Sequence, residues 1–267
     1  MAVLTISREH QTGCVEIGRA VAHQMGYEFV DKSCIYARLR QTGEKWGRMA
    51  EELDEERPSI WEKYDREYRG FISLVESTIY EYAATDRAVI LGRGSAFLLH
   101  DMPQVLKVRM FAPMDVRIER LMQKENVDHK TARETLEKID KSRSGYIQSI
   151  YGKQMKDVEN YDMLFNTGVQ TYHQITENLV KTLEEWHHRG TPESLQRLKD
   201  RALAAKLKAR ILTHPDLFIP SLEIFHDGQA IVIKGVIHNP EESRLIQKLT
   251  HEIAPCLSVR NELHYRE

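Results

Sequence analysis

Residues Ser7 to Val15 have the types and spacing of an anion-binding loop. The run Val3-Leu4-Thr5-Ile6 has the length and composition of a buried strand, and it breaks at Ser7 into the polar stretch Arg8-Glu9-His10-Gln11-Thr12. The loop closes on Gly13, after which Ile17, Val21 and Met25 recur every four residues until Gly26. That pattern predicts strand, loop and helix in turn. The start of a helix carries unpaired N–H groups and the positive end of the helix dipole, so a phosphate is the expected guest. The loop departs from G-x-x-x-x-G-K-[ST]. With Gly13 as the last glycine, Cys14 and Val15 occupy the places of the phosphate-binding lysine and the magnesium-binding hydroxyl. Cys14 also stands at a helix N-terminus, where a thiol's pKa can fall.

Three later stretches carry further candidates. In YEFVDKSCIYARL, Asp31 ends a second strand where open α/β sheets place ligand groups, with Ser33, Tyr36 and Arg38 following. The bland alternative is a capping Asp and a surface Arg. Ala88 to Leu91 reads as a buried strand opening into Gly92-Arg93-Gly94-Ser95. The two glycines let a ligand approach the backbone closely, and Arg93 between them suits a phosphate. In the helix expected after Asp128, Arg143 falls on the side of Leu136, Ile139 and Ile147. A cation on an apolar face needs a partner, either a ligand's charge or an internal acid such as Asp140.

Taken together and in order, these motifs resemble the cytidylate kinase-like family, relatives of the nucleoside monophosphate kinases. That family begins approximately I-T-I-S-R-x-x-G-S-G-G-R-E-I-G. This chain keeps L-T-I-S-R-E-H and E-I-G, with Gln11, Cys14 and Val15 at positions usually Gly, Gly and Arg. The family's G-R-G, V-x-x-x-A-P-x-x-x-R-x-x-R (Arg117, Arg120), D-K-x-R (Asp140, Lys141, Arg143) and Y-D-L-x-x-N-T (ending Asn166-Thr167) follow, over about residues 3–187. The resemblance implies phosphate contacts from the loop 7–15, Arg38, Gly92, Arg93 and Gly94. It further implies a lid carrying Asp140 and Arg143, a turn near adenine at Asn166, and ATP with Mg2+ as cofactor. Arg93 and Arg143 are the catalytic candidates on this reading, and Asp31 helps to hold the monophosphate.

The elements that must position these groups follow from periodicity. Strands are expected at 88–91, 105–111 and near 161–166, with a helix after Pro113. Tyr68, Phe71, Ile72, Val75, Ile79 and Tyr82 make one apolar helix face, while residues 40–68 are dense in charge. The fold class expected is α/β, a parallel sheet of the P-loop NTPase type flanked by helices, over residues 1–188. His187-His188-Arg189-Gly190-Thr191-Pro192 reads as a linker. Residues 195–267 then give a small α+β module in the order α-β-β-α-β. Its D-G-Q-A-I-V-I-K-G-V-I-x-N-P-E-E and S-V-R-N-E-L resemble a BON domain, a module that binds membranes, ligands or other domains. Its first helix is basic, with Lys206, Lys208 and Arg210 among its cations.

Composition limits the functions. The 267 residues are 41% hydrophobic and 29% charged with a formal net charge of −2, as in an ordinary globular protein. Nothing in that balance draws the chain to nucleic acid, and no run is long enough for a membrane span. Three scattered cysteines suggest neither disulfide framework nor zinc site, so the cytoplasm is the default. Two functions are expected. One is ATP-dependent phosphoryl transfer to CMP, dCMP or a similar monophosphate. The other is nucleotide sensing without efficient turnover, with the BON-like module engaging a protein, lipid or small ligand.

Overall fold

The computed structural model describes residues 2–53, 55–255 and 257–266. The chain packs into two compact units that interleave along the sequence. The first takes Met1–Cys34, Leu53–Pro58 and Thr85–Thr191, and the second Ile35–Glu52, Ser59–Ala84 and Pro192–Glu267. The expected boundary between 188 and 195 falls at a 3-10 turn, His187–Arg189, and the helix starting at Pro192.

In chain order, β1 (Val3–Arg8) leads to α1 (Cys14–Met25), β2 (Glu28–Val30), α2 (Lys32–Thr42) and α3 (Glu44–Leu53). The short α4 (Ile60–Tyr64) and long α5 (Arg66–Ala84) precede β3 (Ala88–Leu91), α6 (Ser95–Leu98) and β4 (Val105–Phe111). Next come α7 (Met114–Glu125), α8 (His129–Tyr151), β5 (Met163–Asn166) and α9 (Tyr172–Trp186). The last part runs α10 (Pro192–Leu212), β6 (Glu223–His226), β7 (Ile231–Ile237), α11 (Pro240–Ile253) and β8 (Val259–Tyr265).

The first unit is built on a parallel sheet ordered β2-β3-β1-β4-β5. Leu4 pairs with Val89 on one side of β1 and with Leu106 on the other. The central strand β3 is apolar throughout and β1 and β4 are largely so, because both faces of the sheet are covered. Ile17 and Val21 of α1 and Ile175, Leu179 and Leu183 of α9 pack with Leu4, Ile6 and Val108 in one core. The strand order reverses at β1, so the crevice at the carboxyl ends of β1, β3 and β4 is a topological switch point. A parallel sheet with this wrapping is the P-loop kinase type of α/β fold. The helix α8 starts where Asp128 accepts the Thr131 N–H at 3.0 Å, and its Ala132 and Leu136 pack on Ile118 and Leu121 of α7.

The second unit joins α5 and α10 to a three-stranded sheet ordered β6-β7-β8. Asp227 accepts the N–H groups of Gln229 and Ala230, which fixes the tight turn from β6 into antiparallel β7. Crossing through α11, capped by Asn239, brings β8 parallel to β7. The α-β-β-α-β order is therefore present from α10 onward. Leu207, Ile211, Ile231, Ile233, Ile246 and Leu249 form its core.

Candidate functional site

The loop after β1 is held by its own side chains. Gly13 takes a left-handed φ of 68° at the N-cap of α1 and offers no side-chain cap. The first N–H groups of α1 therefore lack a capping side chain. A Cβ at Gly13 would lie 2.0 Å from the Tyr172 ring, so the glycine makes room for that tyrosine. Arg120 sits over the same ring at 5.5 Å, donates to the Gln11 carbonyl at 3.2 Å and clamps Thr167. The Thr12 hydroxyl donates to the Glu9 carbonyl, and Ser7 Oγ accepts from Tyr161. Val15 is partly exposed at 38%.

Three arginines from three segments converge on one acid. Glu55 Oε1 accepts from Arg8 Nη1 at 2.9 Å and from the Arg93 backbone N–H at 2.7 Å, while Oε2 accepts from Arg143 Nε at 3.0 Å. The acid and Arg93 are buried, at 7% and 2% exposure. Burial alone would raise the Glu55 pKa, but Arg8, Arg143 and Arg93 outweigh it and hold the carboxyl well below the usual range. The cation on the apolar face of α8 thus has Glu55 as its partner, not Asp140. The Nη1 of Arg143 is buried and has no hydrogen-bond acceptor among the described residues.

The glycines flanking Arg93 serve this packing. At Gly92, with φ of 77°, a Cβ would fall 1.9 Å from Arg8 Nη1, and at Gly94 it would fall 2.2 Å from the Tyr151 ring. The space expected for a ligand is filled by Arg8 and Tyr151. Only glycine tolerates both the backbone and the neighbour at Gly92.

A second ionic cluster lies at the other side of the loop. Glu9 accepts from Arg109 Nη2 at 2.8 Å, with Arg117 Nε 3.7 Å from its other oxygen. Arg117 Nη1 donates to Asp140 at 2.5 Å, and Asp140 also accepts the His10 backbone N–H at 2.9 Å. A carboxylate thus occupies one donor of the loop. Burial first, then Arg143, lowers the His10 pKa to about 4, so its imidazole is neutral. Arg117, buried here, and the half-buried Arg120 brace the loop rather than forming a solvated helix face.

A cavity of about 590 Å³ opens beside this cluster, lined by Glu9, Arg117 and Asp140 together with Arg57, Lys141 and Lys156. The Arg57 stem crosses α8 at Gly145, where a Cβ would lie 2.7 Å from its Cδ. Asp31 caps α2, accepting from the Ser33 and Cys34 N–H groups, and Ser33 hydrogen-bonds it as well. Arg38 belongs to the second unit, 5.8 Å from the Tyr82 ring centroid. Asn166 Oδ1 accepts the Gly168 N–H at 3.0 Å and shapes the turn after β5. Cys14 departs from the expectation of a lowered pKa, because burial pushes its thiol up.

Among the described residues there is no group of three or more His, Cys, Asp or Glu that could hold a metal ion. Glu9, Glu55 and Asp140 are each engaged by arginine. Glu55 and Arg57 are the residues that sequence reading missed. They sit in a charge-dense segment without periodicity, and only folding distinguishes them from their neighbours.

Fold and site together define a kinase-type α/β protein whose loop arginines are gathered by an internal acid and whose loop lysine is absent. The model of the cytidylate kinase-like family matches residues 3–169, and the chain belongs to that family. It is 28% identical over 165 residues to a cytidylate kinase of Methanothermobacter thermautotrophicus, covering 62% of this chain and 94% of that one. A stretch of 100 residues is 34% identical to a uronate isomerase of Corynebacterium glutamicum, covering 38% of this chain and only 19% of that protein's length. Among solved structures, an uncharacterised protein from Eubacterium ventriosum aligns with TM-score 0.55 at 19% identity, covering 69% of this chain and 99% of its own. That likeness shows the fold.

Proposed function

We propose that this protein is a nucleoside monophosphate kinase-like phosphotransferase, moving the γ-phosphoryl of ATP to CMP, dCMP or a similar monophosphate. The observation that carries this reading is the convergence of Arg8, Arg93 and Arg143 on a single anion position, now filled by Glu55. The acceptorless Nη1 of Arg143 favours it too. On this reading a phosphate replaces the Glu55 carboxylate among the same donors. An oxygen of the monophosphate attacks the γ-phosphorus, the bond to the β-phosphate oxygen breaks, and ADP leaves with the electron pair. Arg143 and Arg93 stabilise charge on the transferring group, which is most of what such catalysis requires. The α1 amides and Arg8 hold the donor phosphates. Asp31, Gly92, Gly94, Asn166 and the loop from Ser7 to Val15 shape the site around them. ATP would bring Mg2+, as the family implies.

The test is a coupled assay with ATP and each nucleoside monophosphate in turn. Turnover that falls with Arg143→Ala supports the proposal, and no turnover above background with any acceptor overturns it. A second reading is favoured by Cys14 and Val15 in the loop and by the Asp140 carboxylate on the His10 N–H. The domain 1–188 then senses a nucleotide without efficient transfer. The module 195–267, BON-like on the motifs quoted above, passes the signal to a protein, lipid or small ligand. Thermal-shift binding of ATP or CMP without turnover identifies this case. No described helix is long and apolar enough to cross a membrane, and a cytoplasmic site of action suits either reading.

A further inference from the structure

The acid that gathers Arg8, Arg93 and Arg143 belongs neither to the sheet nor to the helices that wrap it. Glu55 comes from the segment between α3, which ends at Leu53, and α4, which starts at Ile60. Residues 55–58 are neither helix nor strand, and they lie in the first unit with β1, β3 and α8. The Glu56 N–H closes a turn on the Leu53 carbonyl at 2.9 Å, and Pro58 has no N–H to give. A stretch outside regular structure depends on what its side chains grip.

Two of those side chains grip α8. Glu55 Oε2 takes the Arg143 Nε–H at 3.0 Å, and the Arg57 stem rests on Gly145. A Cβ built at Gly145 would lie 2.7 Å from Arg57 Cδ, 2.8 Å from its Cβ and 2.9 Å from its Cγ. Contact with a Cβ is not relieved by turning a side chain, so a larger residue at 145 must displace the backbone at Arg57. Gly145 lies inside α8, where alanine is the better helix former. What its missing side chain supplies is room for the strand of chain that carries Glu55.

The grip on the arginines is exchangeable. Glu55 offers two oxygens to three donors at the carboxyl ends of β1 and β3, as a phosphoryl group would. Withdrawing a buried carboxylate alone strands its cations, but trading it for a phosphate leaves them paired throughout. A tethered rival lowers the apparent affinity of a free ligand by the fraction of molecules in which the position is open.

We infer that residues 55–57 form an autoinhibitory strap across α8, in which the Glu55 carboxylate stands in for a substrate phosphoryl group and Arg57, seated on Gly145, holds it there. The inference rests on the reading that these arginines take a phosphate. It adds that the phosphate evicts an internal rival, so that nucleotide binding lifts the strap.

The experiment is calorimetric titration of the full chain with ATP and, separately, with inorganic pyrophosphate. It compares the unaltered protein with Glu55→Gln and Gly145→Ala. Both variants should bind at least tenfold more tightly. Gly145→Ala removes none of the donors, so its gain reads the strap itself. The substitution suits a helix, so the variant should fold, and circular dichroism checks this. Hydrogen exchange at the amides of Glu55, Glu56 and Arg57 should quicken when ATP saturates the unaltered chain. Unchanged or weaker binding in either folded variant overturns the proposal and leaves Glu55 a structural counter-ion. Exchange that ATP does not quicken overturns it too, as does absence of binding in all three proteins. Strap and transfer fail separately. Turnover with equal affinities in the three proteins removes the strap alone, whereas tighter binding in the variants without turnover of any monophosphate removes the transfer alone.

Discussion

Glu55 Oε2 accepts the Nε–H of Arg143 at 3.0 Å across a separation of 88 residues, with both groups largely out of water. The same carboxylate takes Arg8 and the Arg93 amide, so one side chain fixes the ends of β1, β3 and the middle of α8 relative to one another. Removing one partner of a buried pair strands the others, at a cost of about 3–5 kcal/mol. Glu55→Ala is therefore expected to lower the unfolding free energy by about that amount in urea titration. Added phosphate should recover part of the loss by binding the freed arginines. A loss under about 1 kcal/mol, the size of an exposed pair, would show that the acid is not the hub.

Gly92 and Gly26 separate two costs of a side chain. Both have positive φ, at 77° and 65°, but a Cβ at Gly26 meets nothing within 4 Å while one at Gly92 meets Arg8. Gly26→Ala should cost about 1–2 kcal/mol from backbone strain alone. Gly92→Ala should cost more and should also weaken nucleotide binding, because Arg8 must leave Glu55. Parallel denaturation and thermal-shift titrations of the two variants read the difference.

His10 makes stability pH-dependent. Its pKa is lowered to about 4 against an ordinary 6.5. Between those values the unfolded chain binds a proton that the folded chain refuses, so stability falls as pH falls from about 6.5 toward 4. His187 is shifted in the same direction by burial, so the comparison must isolate His10. Denaturation at pH 7 and pH 5 should show a smaller drop for His10→Gln than for the unaltered protein. Equal drops would mean that the imidazole does not titrate as its burial requires.

Substitutions in the loop separate the two readings of its function. Cys14→Gly with Val15→Arg restores the residue types usual in the family, and Val15 is exposed enough to accept a longer side chain. Turnover of ATP with CMP in a coupled assay should rise in the double variant if the loop is the sole impairment. No gain would favour nucleotide sensing without transfer.

Much of the first unit was legible in the chain. Strands at 88–91 and 105–111 fall where expected, because strands of a parallel sheet covered on both faces are predominantly apolar, without a break in AVIL and with only Lys107 and Arg109 interrupting VLKVRMF. The helix start at Asp128 was equally readable, since capping is local chemistry. The C-terminal α-β-β-α-β order followed from alternation and from the turn at Asp227-Gly228.

What the sequence by itself determined was the order of elements, the position of the loop and some of the arginines around it, Arg8, Arg93, Arg117, Arg120 and Arg143 but not Arg57 or Arg109. Only the tertiary structure decided which charges meet. Arg143 went to Glu55 rather than Asp140, Arg117 took Asp140, and Gly92 and Gly94 admitted Arg8 and Tyr151. The physical reason is range: periodicity and capping act within a few residues, whereas a buried charge selects its partner by proximity after the chain has closed over it.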